Sequence, residues 1–165
     1  MKVNDIAITV NTGELKLYKA NPRDLEAEAG LKPENIKLDL INTYDYLEGH
    51  KKIKDVVSDS AGRFKSDASP HTGIAEKNGI EQKLEDDIIR QIAEDIARIV
   101  REHNPERYFL SMPGSIFKRV WSRIEELSAK NPELKKKLFR YIEDDLVKID
   151  KNKLPEIFRE KGQHF

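Results

Sequence analysis

The stretch from Asp59 to Gly79, DSAGRFKSDASPHTGIAEKNG, gathers the side chains best suited to meet a polyanion. Arg63 and Lys65 offer cationic donors and His71 an imidazole, groups that hydrogen-bond phosphate oxygens. Gly62 and Gly73 lack a Cβ, so the backbone there admits close approach of a ligand. These five, Gly62, Arg63, Lys65, His71 and Gly73, are the candidate contacts for RNA or the ribosome. Asp59 and Asp67 dilute the positive character. A solvated insertion whose charges merely keep the chain soluble has the same composition, and the letters do not separate the two readings.

Fixing about fifteen such residues costs roughly 15–30 kcal/mol of backbone entropy. The apolar residues Phe64 and Ile74 return only about 1.5–3 kcal/mol each on burial. Residues 59–79 are therefore expected to form a mobile loop, of the length that is either functional or disordered.

Elsewhere the reactive groups do not assemble. With no cysteine the chain has no disulfide, thiolate zinc site or thiol nucleophile. His50, His71, His103 and His164 lack the close spacing of a zinc site. The run DKNKLPEIFREK places Leu154 and Pro155 where a calcium loop needs an oxygen ligand and its turn glycine. Glu94–Asp95 and Asp144–Asp145 are sequence neighbours, which on a helix do not share a face, so both pairs read as solvated surface. Ser111 ends a strand before Met112, Pro113 and Gly114, but no glycine elbow surrounds it, and it reads as structural. No catalytic residue, metal or cofactor is assigned. The balance leans away from an enzyme, with a hydrolase or nuclease of unrecognised site as the alternative.

The chain has 165 residues, 30 basic and 30 acidic, and a net charge of zero, which excludes the broad positive field of a nonspecific nucleic-acid binder. The charge is unevenly spread. Residues 111–165 carry 13 basic and 9 acidic groups and 51–80 carry 6 and 4, whereas 1–50 and 81–110 are each −3. No apolar run approaches the roughly 20 residues of a membrane span, and MKVNDIAITV lacks the pattern of a secretory signal. A cytoplasmic location and no membrane partner are expected.

The elements that carry these residues follow from periodicity. Ile6, Ile8 and Val10, the turn at Asn11–Gly13, and Leu15 and Leu17 read as a hairpin. One helical turn is expected at Leu25–Ala29. A third strand then brings Ile36, Leu38 and Leu40 inward and later Tyr44 and Tyr46, with a split near Asn42, and a short fourth strand falls at Ile53–Val57. From Ile80 the period changes. Ile80, Leu84, Ile88, Ile92, Ile96 and Val100 predict a long helix with Glu85, Asp86, Arg90, Glu94, Asp95, Arg98 and Arg101 outward, ended by Pro105. Arg107–Met112 reads as a central strand, parallel to a last strand at LFRYIE. Between them lie a helix capped by Ser115, burying Ile116, Phe117, Val120, Trp121, Ile124 and Leu127, and a short helix capped by Asn131. A terminal helix starts at Asp150, and residues 160–165 read as a frayed tail. The order predicts a single layered α/β (α+β) domain over 1–165, with a mixed sheet of about five strands and one long packing helix.

Three pieces in order resemble the host attachment protein family: DIAITVNTGELKLYKA, the arginine-bearing loop with the long helix and RYFLSMPGSIFKRV, and RYIEDDLVKIDKNKLPEIF. The strand running through Leu110 into Pro113 and Gly114 matches, as do Glu143, Asp144, Asp145 and Leu146 followed by Leu154 and Phe158. That family is similar in element order to the middle domain of archaeal and eukaryotic peptide-chain release factors and Pelota-type rescue proteins. The resemblance implies ribosome or RNA contact through the 59–79 loop. The Gly-Gly-Gln triplet with which release factors hydrolyse peptidyl-tRNA is missing there, and Gly79–Gln82 is not its equivalent. Attachment to host cells, taken literally, is the third expectation.

Overall fold

The computed structural model describes residues 1–46 and 70–165. The expected hairpin is formed by β1 (Ile6–Val10) and β2 (Glu14–Pro22), paired antiparallel. Asn11 closes the turn, its carboxamide oxygen accepting from the backbone N–H of Gly13 and Glu14 at 2.8 and 2.9 Å. A single helical turn, α1 (Leu25–Glu28), is capped by Asp24, and β3 (Ile36–Asp45) returns beside β2. Then come α2 (Pro70–His103), β4 (Tyr108–Ser111), α3 (Gly114–Ser128), α4 (Glu133–Lys136), β5 (Leu138–Ile142) and α5 (Leu154–Lys161).

The five strands form one mixed sheet in the order β3-β2-β1-β4-β5, with β4 parallel to both β1 and β5. The fold is the layered α/β domain that the sequence predicts. The centre of the sheet is β1, however, and the strand expected there, β4, lies beside the edge strand β5. The apolar run of β1 explains its place, since all of its residues are buried and it serves two cores at once. Ile6, Ile8 and Val10 point to the face covered by α2 and α3, joined there by Tyr108 and Leu110. Ala7 and Phe109 point the other way, to Leu146, Leu154 and Phe158.

The long helix packs through Leu84, Ile88, Ile92, Ile96 and Val100, all buried. At about 1.5–3 kcal/mol for each such side chain it is the main packing element. Two members of the expected pattern fall elsewhere: Ile80 is 40% exposed, and Asp95, assigned to the outer face, is 2% exposed. Leu40 is also not inward. Ile41 is left over as a bulge between the pairs Leu17–Asn42 and Tyr18–Leu40, but Leu40 precedes it and shares the face of Leu38; it is 49% exposed on β3, an outermost strand of the sheet among the described residues. The strand expected at Ile53–Val57 lies outside the described residues.

Helix ends differ for physical reasons. α2 begins at Pro70, ten residues before the first apolar repeat at Ile80, because Pro fits the first helical position and the Ala, Glu, Lys and Gln residues that follow favour helix. Ser115 does not cap α3; Pro113 holds the cap position and no side chain bonds there. Pro132 rather than Asn131 is the cap residue of α4. Asp150 opens a turn, its carboxylate accepting from Asn152 N–H at 2.9 Å, and α5 starts only at Leu154. The tail is docked rather than frayed: Gln163 pairs with Tyr141 through two backbone hydrogen bonds, 2.8 and 2.9 Å long.

Candidate functional site

The sequence candidates divide at Pro70. Gly62, Arg63 and Lys65 lie outside the described residues. His71 and Gly73 fall in the first turns of α2, so the stretch expected as loop up to Gly79 is helical from Pro70 onward.

The root of the intervening segment is built from residues that sequence reasoning missed. Tyr46, the last described residue before it, donates its hydroxyl to Asp95 at 2.6 Å, and its backbone N–H bonds the Gly13 carbonyl at 2.8 Å. Asp95 also accepts from Gln91 at 3.0 Å and from Arg98 at 2.8 Å. Arg98 lies 5.4 Å from the centre of the Tyr44 ring, and the Tyr44 hydroxyl, with Asp95 beside it, raises the guanidinium's pKa further. Burial, followed by the bond to Asp95, drives the Tyr46 phenol far above its usual pKa, so it stays a donor. A carboxylate this buried needs its donors, and it has three. The cluster pins the end of β3 to the middle of α2.

From Asp95 to Pro70 the helix runs 25 residues, about 37 Å at the usual rise. Among the described side chains of α2, Leu84 is the first to join the core, with Gly79 and Ile80 exposed beyond it. In sequence, residues 47–69 fall between that anchored point and the first turn of α2.

A second locus lies where β1 and β4 end. The chain leaves β1 toward β2 on one side and β4 toward β5 on the other, the geometry that opens a ligand-sized crevice beyond the carboxyl ends of parallel strands. A cavity of about 330 Å³ occurs there, lined among others by Asn11, Glu14, Ser115, Asp145 and Lys148. Asn11 spans it, donating to the Asp145 carboxylate at 3.0 Å. Ser111 is beneath the same loop but is occupied, its hydroxyl donating to the Asp144 carbonyl at 2.7 Å. Its strand neighbour Thr9, fully buried, has a hydroxyl without a hydrogen-bond partner among the described residues. Neither histidine whose side chain is described approaches Ser111: His103 lines a different cavity of about 440 Å³ at the opposite end of the strands, and His164 packs on Phe139. Among the described residues no cluster of three or more His, Asp or Glu is placed to hold a metal ion.

Buried Asp5 pairs with half-buried Arg107, whose guanidinium Nε donates to the two carboxylate oxygens at 2.9 and 3.0 Å. The same guanidinium lies 4.0 Å from the centre of the Phe139 ring. Sequence alone gave no signal for this pair, which joins residues at opposite ends of a long connection. Among the described residues, no helix is long and apolar enough to cross a membrane.

A family model described as "Protein required for attachment to host cells" matches residues 8–157. No curated protein and no solved structure matches the chain.

Proposed function

The chain belongs to the family of proteins required for attachment to host cells, and from that premise we propose that it is a cytoplasmic docking module contacting ribosomal or other RNA through residues 59–79. The observation that carries this reading is the reach of α2. Leu84 is the first of the described α2 side chains to join the core, and the helix continues about 21 Å beyond it to Pro70, which offers its distal end to a partner. That end follows directly on Arg63 and Lys65 and contains His71. The Tyr46–Asp95 anchor holds the other end of the segment, so contact at the tip is transmitted to a rigid body. Likeness to the middle domain of release factors and Pelota-type proteins is part of this proposal. Without a Gly-Gly-Gln triplet in the sequence, the module binds but does not hydrolyse peptidyl-tRNA.

Sedimentation of lysate through sucrose gradients at low and high salt tests it. The chain should travel with ribosomal particles at low salt and return to the top as salt rises, since binding that displaces counterions is salt-dependent. Replacing Arg63 and Lys65 together by Ala should lower the slope of log K against log salt by about 1.4, at about 0.7 per phosphate contact on a single strand. A chain that stays at the top of a low-salt gradient refutes the proposal. Cell fractionation checks the location independently.

A second reading, a hydrolase or nuclease, rests on the crevice, where Glu14 and Asp145 flank a cavity of ligand size with Lys148 beside them. It requires turnover of an ester or RNA substrate that Glu14→Gln and Asp145→Asn abolish. Undiminished turnover in both variants removes it.

A further inference from the structure

The cavity of about 440 Å³ opens at the amino ends of β1 and β4, away from the crevice beside Asn11. Four separate segments wall it: residues 2–6, Lys19, Pro33 and the link 103–106 between α2 and β4. Backbone hydrogen bonds fix the first three of these to one another. Val3 N–H donates to the Pro33 carbonyl at 2.8 Å, Asn4 N–H to the Ala20 carbonyl at 2.9 Å, and Ala20 N–H to the Asp5 carbonyl at 2.9 Å. Two walls turn through a left-handed asparagine, Asn4 at φ 74° and Asn104 at φ 42°, the second closing the end of α2 with its N–H on the Val100 carbonyl at 3.0 Å. Ile6 and Pro105, both buried, supply apolar wall. A preformed cavity of this size, partly apolar and with a few converging polar groups, is the usual form of a small-molecule site.

Its charge is one-sided. Lys2, Lys19 and His103 line it against a single carboxylate, Glu106. That carboxylate meets the Lys2 ammonium at 3.6 Å with most of its side chain in water, so the pair holds little. Lys19 is half-buried and has no ion-pair partner among the described residues. Cationic groups gathered without matching carboxylates repel one another, and an anion seated between them removes that cost. Arginine, whose planar fork is the usual partner of a flat carboxylate, is missing from the lining. Lysine ammonium groups bind phosphate as point charges, which suits its rounder, doubly charged head.

We propose that this cavity binds a small organic phosphate monoester, its dianionic head held by Lys2, Lys19 and His103 and its apolar body against Ile6 and Pro105. The proposal is independent both of the contact at residues 59–79 and of the crevice at the other end of the strands.

The test titrates the full-length, isotope-labelled chain with phenyl phosphate, reading backbone amide shifts by NMR and Kd by calorimetry. Saturable shifts should appear at residues 2–6 and 103–106. Lys19→Met, which keeps the stem and removes the charge, should weaken binding about tenfold, and His103→Gln, at an exposed position, should weaken it as well. Lys118→Met, an exposed lysine of α3, should leave Kd unchanged. Urea unfolding of Lys19→Met should match wild type, since Lys19 has no ion-pair partner to lose, and this separates lost binding from a lost fold. Benzoate should bind more weakly than phenyl phosphate. Absence of saturable shifts, shifts that map away from the cavity, an unchanged Kd in both Lys19→Met and His103→Gln, an equal loss in Lys118→Met, or benzoate binding as tightly overturns the proposal. A short single-stranded RNA without a terminal phosphate that shifts the same amides assigns the cavity to the nucleic-acid backbone and overturns the small-molecule ligand.

Discussion

Removing one oxygen atom from Tyr46 tests the anchor that ties the end of β3 to the middle of α2. In Tyr46→Phe the ring still fills its site, which is 8% exposed, but Asp95 loses the donor at 2.6 Å and keeps only Gln91 and Arg98. A hydrogen bond to a charged group contributes about 1.5–3 kcal/mol, so urea unfolding at pH 7 should show a loss of that size. The pH dependence is the sharper part. The folded-state pKa of Tyr46 is raised by burial and by Asp95, so its contribution is fully present below the unfolded pKa near 10. It is lost as pH rises toward the folded value, because the unfolded chain alone ionises there. At pH 11, one unit above the unfolded pKa, the gap between wild type and Tyr46→Phe should have narrowed by about 1.4 kcal/mol. Denaturation curves at pH 7, 10 and 11, followed by Trp121 emission and far-UV circular dichroism, measure it. A gap below about 0.5 kcal/mol at pH 7, within the range of ordinary surface changes, refutes the anchor. A gap that stays constant to pH 11 refutes the proposed protonation linkage.

Three further outcomes follow from other buried groups. Burial raises the pKa of Asp5 against the opposing pull of the Lys2 N–H and Arg107. The stability of wild type relative to Asp5→Asn should therefore fall as pH rises from the ordinary carboxylate pKa through the raised one, and urea titrations in which it climbs contradict this. Thr9→Val replaces an unpartnered buried hydroxyl by a methyl of nearly the same shape and should raise stability by about 1 kcal/mol in urea unfolding. A loss instead would mean the hydroxyl has a partner. Gly162→Ala would drive a Cβ onto the Phe158 carbonyl and to 2.8 Å from Arg140 Cδ, so it should lift the tail, cost about 1–3 kcal/mol and expose the Tyr141 amide to exchange.

Much of this fold is legible in the sequence because periodicity and turn chemistry are local. Ile6, Ile8 and Val10 with the Asn11 turn specify the hairpin, and the four-residue repeat from Leu84 to Val100 specifies the buried face of α2. What escapes is what depends on distant chain. Leu40 has the alternation of an inward residue and shares the face of Leu38, yet it lies on the edge strand β3 and is 49% exposed, a place that only the strand order sets. The start of α2 escapes for another reason. Between Pro70 and Gly79 the letters lack an apolar stripe, so a reading keyed to periodicity starts the helix at Ile80, whereas it begins at Pro70.

Asp95 is the most instructive miss, because it connects the legible part of the molecule to the candidate site. By position on α2 it belongs among the charged residues, and its neighbour Glu94 is indeed exposed. Its burial follows from Tyr46, 49 residues earlier, whose hydroxyl is the donor that makes a buried carboxylate tolerable. Nothing local announces such a pair, since each member reads as ordinary surface or ordinary aromatic until the sheet brings them together. The same holds for Asp5 and Arg107, 102 residues apart. Both pairs tie segments that the hydrophobic pattern places but does not lock. At Tyr46 the lock falls on the last described residue before the basic segment, where the proposed docking role has most need of a fixed point.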